Sequence, residues 1–349
     1  MTSAINRQWR LKSRPTAMAT EADFAYHEEP PPPVPDGGFL VRSLYVSVDP
    51  AMRGWMTDDP GYVAPVPLGA VMRAPALGQV VESRHAGFRR GDFVSGLLGW
   101  QDYCVTDGRQ PAPVHRFRPV HRLPVYLGAL GGSGLTAWVG MLDVARPKEG
   151  ETVVVSGAAG ATGSVAAQIA KLQRCRVVGI AGGADKCRWL TGDLGLDAAI
   201  DHRAEDVDAR LTALCPAGVD IYFDNVGGPT LEIVLGHMAT WGRIAACGMI
   251  SGYNAERPEP GPANLFRLIT RRIRMEGFLV TDYAPRFKEA RRQLSAWLAT
   301  GALRAREDVR EGFENIPRTF LDLFEGGNIG KLMVKLADPP IVRQPAGRA

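Results

Sequence analysis

Val153-Val-Val-Ser-Gly157-Ala-Ala-Gly160-Ala-Thr-Gly163-Ser-Val-Ala166 decides how the chain is read. A run of valines enters a turn whose glycines stand three apart. A helical pattern follows at once over 164–173, with Val165, Ile169 and Leu172 on one face. Ala158 and Ala159 fill the space between Gly157 and Gly160, so the spacing departs from G-x-G-x-x-G. The physical requirement is still met. Gly160 and Gly163 let the backbone approach a pyrophosphate at a helix amino terminus, where N–H groups and the helix dipole favour an anion. The competing reading is tight strand–helix packing with nothing bound.

Downstream the pattern repeats. Strands are expected at 176–181, 198–201, 220–223, 243–247 and 275–280, and helices at 185–193, 204–214, 230–240 and 286–299. Continuous apolar strands alternating with helices imply a parallel sheet covered on both faces. Upstream, 39–48, 77–83, 92–96 and 102–105 read as short strands broken by Gly and Pro, with a helix near 135–143. The last fifty residues are mixed, with a strand at 331–336 and a Pro-rich tail read as disordered. The expected architecture is α/β: a Rossmann-type, doubly wound parallel-sheet domain (127–298) inserted between two pieces of a β-rich domain (1–126 and 299–349).

The 349 residues carry 41 Lys+Arg against 37 Asp+Glu, a net charge of +4. That is too weak and too dispersed for nucleic-acid binding, and Arg271-Arg272-Ile273-Arg274 reads as a solvated helix end. No apolar run is long enough to span a bilayer, and Met1–Arg14 lacks the apolar core of a signal peptide, so a soluble cytoplasmic protein is expected. Cys104, Cys175, Cys187, Cys215 and Cys247 are scattered without a C-x-x-C pair, which suits reduced thiols and no structural zinc. The six histidines show no metal-ligand spacing.

The second strand indicates which dinucleotide is bound. An NAD site carries an acid at this strand's end to bond the ribose 2′-OH. Here the strand ends Ile180-Ala181-Gly182-Gly183, followed by Lys186 and Arg188, so a 2′-phosphate and NADP(H) are expected. Asp185 reads as a helix N-cap.

With these residues in hand, the chain resembles the medium-chain dehydrogenase/reductase superfamily. More narrowly, it is similar to the zinc-independent branch of leukotriene B4 12-hydroxydehydrogenase/prostaglandin reductases, plant double-bond reductases and bacterial curcumin reductases. The likeness runs through Ser47-Val-Asp-Pro-Ala-Met-Arg-Gly54, Gly134-Leu-Thr-Ala137, Ala158-Ala-Gly-Ala-Thr-Gly-Ser164, Phe223-Asp-Asn-Val-Gly-Gly228, Gly242-Arg-Ile-Ala-Ala-Cys-Gly-Met-Ile-Ser251 and Gly327-Asn-Ile-Gly-Lys331. It implies a GroES-like β domain carrying the inserted Rossmann domain. It also implies NADPH contacts from Gly160, Ala161, Thr162, Gly163 and Ser164 on the pyrophosphate, and from Lys186 and His202 near the 2′-phosphate. Asn225, Cys247, Gly248, Ile250, Ser251, Phe278, Val280 and Asn328 would line the ribose and nicotinamide. His202 stands where the family usually has Tyr, Ala51 where the family has an aromatic, and Trp138 where Tyr is common.

Where zinc-dependent relatives hold their metal, Pro67-Leu-Gly-Ala70 offers no ligand. Hydride transfer from NADPH to the β-carbon of an α,β-unsaturated ketone or aldehyde remains, and it needs a hydrogen-bond donor at the carbonyl oxygen. The resemblance implies Tyr253 in that role, and Tyr45, Arg53, Trp55 and Tyr283 are candidate substrate contacts. A small-molecule enone and a second copy of the chain are the expected partners, the copy pairing through the strand at 275–280. An NADPH:quinone oxidoreductase and a non-catalytic NADPH-binding protein are the alternatives.

Overall fold

The computed structural model describes residues 4–59, 61–109, 112–257 and 260–341. It divides into two compact units. One takes the chain up to Leu127, Asp308–Gly327 and the chain from Leu332 on; the other takes Gly128–Glu307 and Asn328–Lys331.

In chain order the strands begin with β1 (Asn6–Leu11), β2 (Phe24–Glu29), β3 (Phe39–Ser47), β4 (Ala76–Ser83), β5 (Phe93–Gly96), β6 (Tyr103–Thr106) and β7 (His115–Phe117). The helix α1 (Gly132–Val139), continued by a wider turn over Gly140–Ala145, precedes β8 (Thr152–Ser156) and α2 (Ala161–Leu172). Then follow β9 (Arg176–Ala181), α3 (Ala184–Arg188), β10 (Ala198–Asp201), α4 (Val207–Leu214), β11 (Val219–Asp224), α5 (Gly228–His237) and β12 (Met238–Ala246). The chain ends with α6 (Phe266–Thr270), β13 (Arg274–Gly277), α7 (Phe287–Thr300), β14 (Glu307–Glu311), α8 (Ile316–Glu325) and β15 (Lys331–Lys335).

The larger unit holds a parallel sheet in the order β10-β9-β8-β11-β12-β13. Val153, Val154, Val155, Val177, Val178 and Ile180 of its central strands are buried, as strands covered on both faces require. The order reverses between β8 and β11, which puts the topological switch point, where such sheets bind ligands, at the carboxyl ends of these two strands. The other unit holds the antiparallel pair β1–β2 and the sheet β14-β15-β3-β4-β5-β7, with β6 on β3. The Rossmann sheet and the separate β unit are those the sequence implied. Among the described residues no helix is long and apolar enough to cross a membrane.

Several local expectations need correction. The helix expected at 164–173 starts three residues earlier, at Ala161. The strand expected at 275–280 ends at Gly277, and a 3-10 segment takes over at Val280. Gly183, not Asp185, caps α3, and Asp185 lies in its first turn. The hairpin β1–β2 is not legible in the local pattern, because a long connection joins its two strands. Helix α8 was hidden by Pro317, which is tolerated in a first turn where its missing N–H has no helical acceptor. Ile341, at the start of the Pro-rich tail, exchanges two hydrogen bonds with Gln79, at 2.9 and 3.0 Å. The rest of that tail, 342–349, lies outside the described residues.

Asp102 ties the β unit together. Its buried carboxylate accepts from Arg7 Nε at 2.6 Å and Arg7 Nη2 at 3.2 Å, and also pairs with Arg42. The two guanidiniums lie over the rings of Phe313 and Tyr103. Burial pushes the carboxyl up, but the hydrogen bonds and charges of Arg7 and Arg42 together outweigh it and hold the group below its ordinary range. A carboxylate held low in the fold contributes stability above its unfolded pKa of about 3.9, and loses it as pH falls through the lower folded value. Asp102→Ala, which leaves two guanidiniums facing an apolar gap, should lower unfolding free energy by about 3–5 kcal/mol. Urea melts of the variant and wild type at neutral pH check this, and repeating them below pH 4 should show the gap narrowing.

Candidate functional site

The glycine turn joins β8 to α2. Gly160 caps the helix, so the amides of Ala161, Thr162 and Gly163 occupy the first turn, where α-helical geometry supplies no acceptor. Ser164 differs from them. Its N–H already donates to Gly160 O at 3.0 Å, so an anion at this terminus would meet only its hydroxyl. Gly163 has a different task from the one its spacing suggested. A Cβ there would lie 2.3 Å from Gly157 O and 2.9 Å from Ala158 Cα, so this glycine lets the helix press against the turn. Asn328 is brought alongside: Gly330 N donates to Ala159 O at 2.8 Å, and Asn328 Nδ2 donates to Gly330 O at 2.9 Å.

The end of β9 and the turn after it, Ile180-Ala181-Gly182-Gly183, carry no acid of their own. Lys186 is half-buried on α3, and burial pushes its ammonium below its ordinary value, with the positive charge of Arg203 adding to the effect. His202 and Arg203 follow β10 and fold back over Gly182. A Cβ on Gly182 would stand 2.8 Å from His202 Nε2 and 2.9 Å from Arg203 Nε. Arg188, the second cation of the sequence reading, instead pairs with exposed Asp185 of its own helix. Arg203 was missed because strand β10 is adjacent to β9 only in the folded sheet. The His-Arg pair at the end of a strand was the available signal.

At the switch point, Asp224 is 1% exposed. Its Oδ1 accepts from Tyr222 OH at 2.7 Å, Val226 N and Gly227 N at 2.9 Å each, and Ser156 Oγ at 3.0 Å. Ser156 Oγ in turn accepts from Asn225 N at 3.0 Å, and Asn225 Nδ2 donates to Ser156 O at 2.7 Å. The Asn225 amide therefore braces the floor of the turn. The loop after β12 hangs on the same framework. Cys247 N and Gly248 N donate to Asp224 O, Ile250 N to Asn225 O, and both Ser251 N and Oγ to Val226 O. Burial pushes the Cys247 thiol up to about 12, with the charge of Asp224 adding to it, so the group stays protonated and is no nucleophile.

Tyr253 closes this loop. Its hydroxyl accepts from Met249 N at 3.2 Å, which fixes the ring over the loop it closes. Phe278 packs edge-on against Phe223 and over Gly140, and Val280 and Tyr283 lie on the 3-10 segment that follows. Trp138 is accommodated by donating Nε1 to Gln293 Oε1 at 2.6 Å beneath Arg286.

Three substrate candidates lie in the β unit, and they differ. Arg53 is 3% exposed and holds the Pro15 and Ala17 carbonyls through Nη2 at 2.9 and 2.8 Å, so it anchors a loop instead of lining a substrate pocket. Tyr45 packs against the small cluster of Leu44, Leu77, Leu127 and Met333. Trp55 keeps a buried Nε1 with no acceptor among the described residues. Nor, among the described residues, do three His, Cys, Asp or Glu side chains gather where a metal could be held.

A family model described as the N-terminal domain of oxidoreductase matches residues 7–114, and one described as zinc-binding dehydrogenase matches 161–298. An NADPH-dependent curcumin reductase of Escherichia coli is 42% identical over 95% of this chain and 97% of its own length. A 2-alkenal reductase (NADP(+)-dependent) of Nicotiana tabacum is 40% identical over 95% of this chain and 98% of its own. The crystal structure of CurA in complex with NADPH from Vibrio vulnificus superposes with a TM-score of 0.90 at 42% identity, covering 95% of this chain and all of that one.

The glycine turn can be tested directly. Gly163→Ala must displace either the Gly157 carbonyl or α2, and should weaken NADPH binding at least about tenfold, as read by nucleotide titration.

Proposed function

Because the chain belongs to the medium-chain dehydrogenase/reductase superfamily, in the branch of the curcumin and 2-alkenal reductases, we propose that it reduces the carbon–carbon double bond of α,β-unsaturated ketones and aldehydes with NADPH and without a metal. The observation that carries this reading is a dinucleotide cradle and a phenol donor, Tyr253, on the carboxyl-end rim of one parallel sheet. The cradle fits the cofactor. The first-turn amides of α2 suit a pyrophosphate, and Gly182 leaves space for cations above it that suit a 2′-phosphate. Although one matching model has zinc in its description, Pro67–Ala70 supplies none of the ligands that zinc-dependent relatives place there.

NADPH supplies a hydride, which an enone accepts at its β-carbon. The electron pair of the double bond then moves onto the carbonyl oxygen as an enolate. Tyr253 donates its hydroxyl hydrogen bond to that oxygen where the charge develops, and a proton reaching the α-carbon completes the saturated product. The Asp224–Ser156–Asn225 framework holds the Tyr253 loop by its backbone, so the donor is in place before the substrate arrives. Gly248 leaves room for the phenol, since a Cβ there would lie 3.3 Å from the Tyr253 oxygen.

The same reading places the enzyme in the cytoplasm, where its five free thiols stay reduced, and makes it a homodimer. Strand β13 is the sheet edge, hydrogen-bonded on one side to β12, with Met275 and Leu279 exposed and Phe266 and Ile269 each 70% exposed nearby. Such an edge is a template for pairing with its own copy across a two-fold axis.

Tyr253→Phe should bind NADPH within about twofold of wild type and lose about a hundredfold in kcat on an aryl enone. Full activity in that variant would remove Tyr253 from the mechanism. Wild-type turnover, followed by nicotinamide absorbance, should be unaffected by chelator and give the saturated ketone. Turnover on quinones alone would instead make the chain a quinone oxidoreductase. Analytical ultracentrifugation should find twice the 37.7 kDa chain mass. A monomer at micromolar concentration would refute the paired edge.

A further inference from the structure

We propose that Arg203 is the second cation of the 2′-phosphate site and, with Lys186, sets the preference for NADPH over NADH. The inference rests on the NADPH reading above and goes beyond it by assigning the selectivity to particular side chains. Three observations place Arg203 there.

The first is spatial. Gly182 directly follows β9, at the position from which a dinucleotide fold addresses the adenosine ribose. The Nε of Arg203 occupies the space a side chain on Gly182 would need, 2.9 Å from an ideal Cβ, with its Cδ at 3.3 Å. Any residue larger than glycine would push the guanidinium off this turn.

The second is how the arrangement is held. Asp201, the last residue of β10, accepts from Gly183 N at 2.7 Å and Arg203 N at 3.1 Å through one oxygen, Oδ1. His202 N donates to Ala181 O at 3.0 Å. One carboxylate thus clamps the turn after β9 to the turn after β10. The acid is used on backbone amides, behind the cations, instead of on a ribose hydroxyl. Those bonds hold its carboxyl below the ordinary range, so it stays ionised in its anchoring role.

The third is electrostatic. Arg203 repels the ammonium of half-buried Lys186, and the fold keeps these two like charges close. A dianionic phosphate between them would relieve that repulsion, and a planar guanidinium can offer it two parallel N–H donors. A 2′-hydroxyl would relieve nothing. The site therefore gains from NADPH an interaction that NADH cannot supply.

The test uses the full-length protein and two adenosine probes, 2′,5′-ADP and 5′-AMP, titrated by calorimetry without substrate. Wild type should bind 2′,5′-ADP at least tenfold tighter than 5′-AMP. Arg203→Ala should lose most of that preference, weakening 2′,5′-ADP about tenfold while changing 5′-AMP less than twofold. Arg188→Ala should match wild type with both probes, because Arg188 is paired on the outer face of α3. Unchanged 2′,5′-ADP binding in Arg203→Ala would overturn the assignment. So would an equal loss for both nucleotides, which would mark Arg203 as a folding residue. Wild type that failed to prefer 2′,5′-ADP would instead overturn the NADPH reading beneath it, so the two failures are distinguishable.

Discussion

A carboxylate taken out of water must find donors, and at the switch point of the parallel sheet Asp224 finds four of them on one oxygen. They come from β8, from β11 itself and from the turn leading into α5. Satisfying this one group therefore fixes the relative positions of three chain segments. The backbone carbonyls of Asp224, Asn225 and Val226 then receive the amides of the loop after β12, and through that loop the position of Tyr253 is set. A failure of one donor would not stay local, because the same atoms support both the floor of the glycine turn and the phenol above the rim.

The β unit solves a similar problem by other means. Asp102 is neutralised chiefly by two guanidiniums, with the Arg7 backbone N–H adding a longer bond at 3.3 Å. The choice suits position. Arg7 and Arg42 reach from separate strands and lie over the rings of Phe313 and Tyr103 with 33% and 15% of their side chains exposed, so their charge is only partly desolvated. At Asp224 an arginine would bring a large, charged side chain into the space beneath the dinucleotide turn. Neutral donors hold the carboxylate there while leaving the approach from the rim to small residues.

Much of the candidate site could be read locally, and the parts that could not share a physical reason. The turn after β8 was legible because strand, glycines and helix follow one another in the chain. The missing acid after Ile180 was legible for the same reason. The partner of Lys186 was not. By sequence Arg188 is two residues away and Arg203 seventeen, yet Arg188 turns outward to Asp185 while the parallel pairing of β9 with β10 delivers Arg203 to the same turn. Gly163 was recognised as necessary, but its spacing could not show whether its missing side chain makes room for a ligand or for Gly157 and Ala158. Arg53, in a block shared with the family, looked like a pocket residue until its guanidinium was found on the carbonyls of Pro15 and Ala17.

The class of fold, the position of the dinucleotide turn and the family are legible in the chain, because all three depend on short-range periodicity, glycine spacing and ordered blocks of residues. Which side chains share a space depends on the packed fold. Strand order placed Arg203 beside Lys186 and made Asp201 an anchor, and burial made Asp224 a hub. The reason is that hydrogen bonding and desolvation act between atoms a few ångströms apart. In a parallel sheet such neighbours are separated in the chain by a whole crossover helix, a distance that residue-by-residue patterns do not encode.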